Sequence, residues 1–187
     1  MMKGIIVGIA ASIIAGLAGA YIFISTGLMP ANADGNPPAL EKWAAQKSLH
    51  ATLAREAQKG AGPLGVNEET LSAGARLYAA NCLVCHGAAD GEASNIAKGL
   101  YQHPPQLAKH GVADDPEGKI YWKIKHGIRM TGMPAYSPTL DDNQVWELTL
   151  FLKHLPELTP KAAALWKAMP SAAAPVSAAA KAAKTKK

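Results

Sequence analysis

The sequence is poor in several residue types, and these scarcities exclude some classes of protein. Its 187 residues contain only two cysteines, which leaves no second pair to complete a four-cysteine zinc site. Aromatic residues make up only 6%, and much of the apolar content is alanine, so a small domain would have a thin core. Residues 158–187 hold six lysines and no acid, so the formal charge of +5 becomes −1 for residues 1–157. A body so close to neutral gives no support for nucleic-acid binding.

The two cysteines belong to one short motif, Cys82-Leu83-Val84-Cys85-His86. It has the C-x-x-C-H form that attaches a c-type haem. Two thiols one helical turn apart can each add to one of the two vinyl groups on a haem edge, and the next residue then places an imidazole under the iron. The motif predicts Cys82 and Cys85 as thioether anchors and His86 as an axial ligand.

Three other interpretations of the motif remain open at this point. A redox dithiol usually lies near a βαβ pattern, and no strand-rich segment flanks this one. Half of a zinc site would need further ligands, and no H-x-x-x-H pair follows. A disulfide between cysteines three residues apart would close a very small loop and stabilise little.

A second motif points to a ligand for the opposite face of the iron: Gly127-Ile128-Arg129-Met130-Thr131-Gly132-Met133-Pro134. A methionine between glycine and proline is an odd choice for core filling, because both neighbours weaken regular structure. In a fixed turn, its thioether would suit iron, and histidine with methionine leaves no open iron position. Met130 and His126 are the rival ligands, but Met130 would stand on a less constrained backbone. Met133 is therefore the predicted ligand.

Helical patterns frame the two motifs. Asn67 is a good N-cap for a first helix that runs to about Ala80 and then into the cysteine motif. A last helix follows the capping-box pattern of residues 139–142 and ends at Pro156. It should cross the first helix with an aromatic side chain near Gly74, where the missing side chain permits a close contact.

Between the motifs lie a loop and a middle helix. The loop is rich in glycine, alanine, asparagine and proline, a composition that could wrap a haem edge. Tyr101 and His103 are candidates to hydrogen-bond a haem propionate, although both are equally well explained as surface residues. The middle helix is predicted to begin with Asp114 or Asp115 as its N-cap.

The amino-terminal segment is predicted to anchor the chain in a membrane. Residues 4–29 carry no charged side chain and exceed the roughly 20 residues that cross a bilayer. Residues 31–33 read Ala-Asn-Ala, which resembles a signal-peptide cleavage site, but the apolar run is longer than the usual ~7–15 residues. Lys3 precedes the span and Asp34 follows it, so the amino terminus should stay in the cytoplasm and the rest should lie outside. The domain is exported whether or not the segment is cleaved.

The remaining segments are predicted as appendages. Residues 1–29 form the anchor or signal peptide, 30–66 a linker with a spacer helix, 67–157 the main domain, and 158–187 a flexible Ala/Pro/Lys-rich tail. The spacer helix, at 39–59, either lies on the domain or projects from it. Trp43 could alternatively serve as an anchor for a partner protein.

Residues 67–157 resemble a class I c-type cytochrome domain, and more narrowly the membrane-anchored mono-haem bacterial type. The resemblance is carried by the order of the first helix, the Cys82 to His86 motif, the proline-containing loop, the middle helix, the Met133 turn and the last helix. It implies an all-α fold around one covalent haem c. It also implies a single-pass protein of the bacterial cytoplasmic membrane, with the domain on the periplasmic side.

The resemblance implies an electron carrier and not an enzyme. Such a protein shuttles single electrons between membrane or periplasmic redox partners, with His86 and Met133 as iron ligands. One alternative is an electron-accepting cytochrome subunit of a membrane dehydrogenase or oxidase complex. A haem-based sensor or peroxidase would need Met133 to dissociate, and a thiol-disulfide oxidoreductase would need Cys82 and Cys85 to be free.

Overall fold

The chain folds into α-helices joined by turns and loops, as the sequence predicts. The structure is a computed structural model that describes residues 2–173, and over these residues it contains no β-strand. The part of the predicted tail beyond residue 173 lies outside the described residues. The chain divides into two compact units at Gly35.

The first unit is built on helix α1, Met2–Ser25. Its 24 residues span about 36 Å at 1.5 Å per residue, which is enough to cross the hydrocarbon core of a bilayer. Its large apolar side chains are exposed, and the helix is long and apolar enough to cross a membrane. This apolar helix is compatible with a membrane anchor, although a signal sequence has the same properties.

The second unit is organised around the crossing of α3, Glu68–Asn81, and α7, Asp142–Lys153. The two helices meet at Gly74, where a Cβ atom would overlap the carbonyl oxygen of Glu147 and lie 2.6 Å from the Cβ of Phe151. The predicted contact between Gly74 and an aromatic side chain is therefore confirmed. Only glycine permits the two backbones to approach so closely.

Helices α6, Glu117–His126, and α8, Pro160–Lys167, complete the core. Ile120 and Ile124 of α6 are buried. Trp166 of α8 packs with its ring centroid 5.4 Å from that of Tyr78. The packed body therefore extends beyond the sequence-based boundary at residue 157, because α8 contributes a large side chain to a core that is short of aromatics.

Helix α2, Ala39–Glu56, lies on this body through its carboxyl-terminal half. Leu53 is buried. After the helix, the carbonyl group of Gln58 approaches Gly118 of α6 so closely that a Cβ there would overlap it. The N–H of Gly62 donates to the Glu117 carboxylate at 2.9 Å. The predicted spacer helix is thus fixed to the domain by its own packing and by the segment that follows it.

Two short helices lie next to the cysteine motif: α4, Leu83–His86, and α5, Asn95–Gly99. A 3₁₀ helix spans Leu155–Glu157 and connects α7 to α8.

The helix caps agree with the sequence only in part. Asn67 caps α3, since its side chain accepts the N–H of Thr70 at 2.9 Å. Helix α7 instead has a capping box between Asp141 and Gln144, two residues later than the pattern starting at residue 139 predicts. Neither Asp114 nor Asp115 caps α6, because Pro116 occupies the N-cap position.

Candidate haem-binding site

The cysteine motif occupies a single helical turn at the end of α3. The carbonyl oxygen of Cys82 accepts the N–H of Cys85 at 3.1 Å and the N–H of His86 at 2.9 Å. Both cysteines are half-buried free thiols. The two thiols therefore lie one helical turn apart, which is the arrangement that attachment to two vinyl groups requires.

The environment of the thiols favours their protonated form. Burial, followed by the nearby Cys85, raises the pKa of Cys82 to about 12. Burial also raises the pKa of Cys85. Cysteines of disulfide oxidoreductases depend on a lowered pKa that makes the reactive thiolate available. Burial raises the pKa of both thiols, which is the opposite of what a reactive redox dithiol needs. An uncharged thioether suits the same surroundings.

The imidazole of His86 is held by the backbone of residues 101–107, which we call the proline loop. Its Nδ1 atom lies 2.9 Å from the carbonyl oxygen of Pro105. Because a carbonyl oxygen only accepts, Nδ1 must carry the proton, and in the neutral ring the lone pair then lies on Nε2. Burial, opposed by the Pro105 hydrogen bond, lowers the pKa of His86, so the ring is neutral near pH 7. This is the tautomer and charge state that a metal ligand needs.

Two further contacts join the proline loop to the motif. The N–H of Leu107 donates to the carbonyl oxygen of His86 at 3.1 Å. The Nε2 of Gln106 donates to the carbonyl oxygens of Cys85 and Pro104, each at 3.1 Å. Sequence reasoning missed Gln106, and nothing in the local pattern marks it. Its Oε1 atom is buried and has no hydrogen-bond partner.

The methionine turn has a fixed backbone. The carbonyl oxygen of Met133 accepts the N–H of Ile128 at 3.2 Å, and its own N–H donates to Thr131 Oγ1 at 3.1 Å. Gly127 begins the turn with a φ of +66°, and a Cβ there would lie 2.5 Å from the carbonyl carbon of Pro134. The Met133 side chain is half-buried and packs on the main core cluster, whose buried residues include Tyr78, Leu148 and Phe151. Cys82 packs on the same cluster.

The rival ligands point elsewhere. Met130 is 89% exposed and adopts a left-handed backbone with φ of +61°. His126 is exposed, and its ring lies 4.9 Å from that of Trp122. Of these three residues, the structure brings only Met133 to the core cluster that Cys82 contacts. Next to it, a Cβ at Gly132 would lie 2.8 Å from Leu100, so the methionine turn touches the loop after α5.

The two propionate candidates have other partners in the structure. The hydroxyl of Tyr101 donates to the Glu41 carboxylate of α2 at 2.9 Å. His103 is exposed, and its Nδ1 lies 3.4 Å from the carbonyl oxygen of Ala97. Tyr101 thus joins the proline loop to the spacer helix, a contact between residues 60 positions apart that the sequence did not indicate.

Zinc binding has no geometric support in the part of the chain that the structure describes. Among residues 2–173, no three His, Cys, Asp or Glu side chains come together in a group that could hold a metal ion. The side chains of the two motifs instead fit a haem, because they combine two free thiols one helical turn apart, an imidazole with a free Nε2, and a thioether that packs on the same core cluster as Cys82.

The helical fold and this set of side chains define a haem protein of the c type. The comparison with protein families agrees, since residues 69–152 match the model described as cytochrome C oxidase, cbb3-type, subunit III. No curated protein and no solved structure matches the chain. The matched residues run from α3 to α7 and include both motifs. Residues 69–152 therefore form a c-type cytochrome domain, consistent with the class I fold, and this domain supports haem-based electron transfer.

Proposed function

We propose that the domain binds one haem covalently through Cys82 and Cys85, with His86 and Met133 as the axial ligands of the iron. The observation that carries this proposal is the 2.9 Å contact between His86 Nδ1 and the Pro105 carbonyl, which leaves Nε2 available as a metal ligand. When bound, the haem supplies an iron that accepts and releases single electrons.

The residues of the chain would keep this iron closed on both faces. Pro105 fixes the orientation of the His86 ring, and the bonds from Ile128 and to Thr131 fix the backbone of Met133. A closed iron has no position for a substrate. We therefore infer an electron carrier without catalysis on a substrate of its own.

We further propose that residues 1–29 are retained as a membrane anchor. The charge pattern of Lys3 and Asp34 then leaves the amino terminus in the cytoplasm and the domain on the periplasmic side of the cytoplasmic membrane. In this arrangement residues 30–66 link anchor and domain, 67–157 form the cytochrome domain, and 158–187 form the tail. The carrier would serve redox partners that lie at or near the membrane.

The first experiment is an intact mass of the full chain, purified from the membrane fraction of a host that matures c-type cytochromes. The whole chain plus one haem is the expected result and supports both covalent attachment and a retained anchor. A chain beginning at Asp34 plus one haem would support the cytochrome and reject the anchor. A mass without haem would reject covalent attachment.

A second candidate role is an electron-accepting subunit of a membrane dehydrogenase or oxidase complex. It is favoured by the family model, whose description names an oxidase subunit. Mild detergent extraction from the native membrane separates the two roles. A carrier migrates alone as a small haem protein, whereas a subunit co-purifies in fixed proportion with a large partner.

A further inference from the structure

Helix α2 carries an apolar stripe on the side that faces away from the domain. Leu40 and Trp43 are 73% and 61% exposed. Together with Lys47 they follow one another at spacings of three and four residues, so they share one face of the helix. We call these three residues the outer face of α2. Leu49 and Leu53 lie on the opposite side, where the helix packs on the domain.

The outer face contains a positive charge and no negative one. The two acids of α2 lie off this face, and both have partners. Glu41 accepts the hydroxyl of Tyr101, and Glu56 pairs with Arg55 at 2.7 Å. Tryptophan and lysine are the residue types that membrane–water interfaces favour, because an aromatic ring can lie among the headgroups while an ammonium group stays at the surface. Anionic headgroups complement the charge of Lys47.

The chain length keeps this face within reach of a bilayer. Only residues 26–38 separate the end of α1 from the start of α2. Thirteen residues reach at most about 45 Å when fully extended, at roughly 3.3–3.6 Å each. When α1 lies in the membrane, residues 26–38 keep the outer face close to lipid, so the effective concentration of lipid is high. A weak attraction is then enough to bind the face to the bilayer.

We propose that the outer face of α2 docks on the bilayer, with Leu40 and Trp43 among the headgroups and Lys47 against anionic lipid. The proposal rests on the retained anchor for its proximity to lipid, and on the outer face for its chemistry. Glu41 joins the same helix to Tyr101 of the proline loop. Docking therefore gives the cytochrome domain a fixed orientation on the membrane instead of free rotation on its linker.

The test separates the outer face from the anchor. The full haem-loaded chain, with a protease site inserted between Gly35 and Asn36, is reconstituted into vesicles of phosphatidylcholine with or without phosphatidylglycerol. Before cleavage, sedimentation of the haem with the vesicles tests the anchor and the outer face together. After cleavage, the fraction of haem that stays with the vesicles tests the outer face.

The comparison of variants is the diagnostic measurement. The lysines of residues 158–187 attract every released variant to anionic lipid equally, so all variants are compared at the same salt concentration. Trp43→Ser should then lower the partition coefficient about tenfold, because a large side chain no longer leaves water. The matched control is Val66→Ser, which changes an apolar residue that is 51% exposed and lies outside α2. It should leave the partition coefficient unchanged.

An unchanged haem spectrum in each variant shows that the fold has survived. Leu40→Ser provides a second, independent variant and should weaken retention in the same direction. Equal retention of Trp43→Ser and Val66→Ser would overturn the proposal, as would complete release of the parent domain from anionic vesicles, which is the result expected if the face binds a protein. Loss of sedimentation before cleavage would reject both the anchor and the docking, whereas loss only after cleavage would reject the docking and leave the anchor standing.

Discussion

The Nδ1 atom of His86 lies 2.9 Å from the carbonyl oxygen of Pro105, and this contact joins the cysteine motif to a loop nineteen residues further along the chain. It determines which nitrogen of the ring is free. Leu107 and Gln106 add backbone and side-chain bonds at the same place. The proline loop therefore acts as a brace that sets the tautomer and the orientation of the proposed iron ligand.

Replacing Met133 should open the iron. Met133→Ala removes the proposed thioether ligand, so the reduced protein should bind carbon monoxide. The reduction potential should fall by about 0.1 V, a fraction of the roughly 0.8 V that axial ligands span. The haem should remain attached, because both thioether bonds are untouched. Visible spectra and redox titration measure these changes.

Met130→Ala is the matched control, since Met130 is three residues away and 89% exposed. Its spectrum and potential should equal those of the parent protein. If Met130→Ala changes the spectrum and Met133→Ala does not, the assignment of the ligand is wrong.

Removing the side-chain amide of Gln106 should weaken the brace behind His86. Gln106→Leu leaves the carbonyl oxygens of Cys85 and Pro104 without its N–H donors. The free energy of unfolding should fall by about 1 kcal/mol, the usual net contribution of a hydrogen bond, because the unpaired amide oxygen is removed together with the donor. Guanidinium denaturation of the haem-loaded protein measures it. Gln102→Leu, in the same loop but without a side-chain hydrogen bond in the structure, should change stability by less than half as much.

Adding a methyl group at Gly74 should push apart the two central helices. Gly74→Ala would gain about 1 kcal/mol of helix propensity, yet the new Cβ overlaps the Glu147 carbonyl group. The cost of overpacking is about 1–3 kcal/mol, so the net effect should be destabilising. Gly99→Ala is the control, because Gly99 is helical and has no atom within 4 Å of its would-be Cβ. A stabilised Gly74→Ala protein would contradict the close crossing of α3 and α7.

The ion pair between Asp142 and Lys125 should contribute to stability only above acid pH. The hydrogen bond from Lys125, at 2.7 Å, is the main cause that lowers the pKa of Asp142 below its ordinary value of 3.8. A carboxyl whose folded pKa is lowered adds stability above its unfolded pKa, and that stability is lost as the pH falls through the folded pKa. The difference in Tm between the parent and Asp142→Asn should therefore be present at pH 7 and shrink as the pH falls below 3.8 and through the lowered pKa of Asp142. The matched control is Asp114→Asn, at an exposed carboxylate, and at pH 7 it should change Tm by less than Asp142→Asn does.

Features that depend on neighbouring residues could be predicted from the sequence. The N-cap at Asn67 and the helical turn of the cysteine motif follow from side chains and spacings within a few positions. The contact at Gly74 was also predictable, because a glycine on the apolar face of a helix implies a close neighbour. The predicted caps of α6 and α7 are wrong, because several polar residues that favour the N-cap stand close together before each helix, whereas the helices begin after Pro116 and Asp141.

Other contacts between distant parts of the chain could not be predicted. Tyr101 reaches Glu41 across 60 positions, and Trp166 enters the core although it lies in a lysine-containing segment that reads as a tail. Gln106 carries no local signal of its role behind the motif. In each case the packing of the helices determines which residue becomes the partner. The neighbouring residues in the sequence do not indicate that partner.

The sequence by itself determined the chemistry of this protein: two cysteines and a histidine in one turn, a methionine in a glycine–proline turn, and an apolar amino-terminal helix. These depend on short spacings that the backbone geometry converts directly into relative positions. Only the tertiary structure decided that His86 presents Nε2, that Met130 is exposed while Met133 packs on the core, and that α2 lies on the domain with Trp43 outward. The physical reason is that burial and hydrogen-bond partners are set by segments far apart in the chain, which meet only when the helices pack.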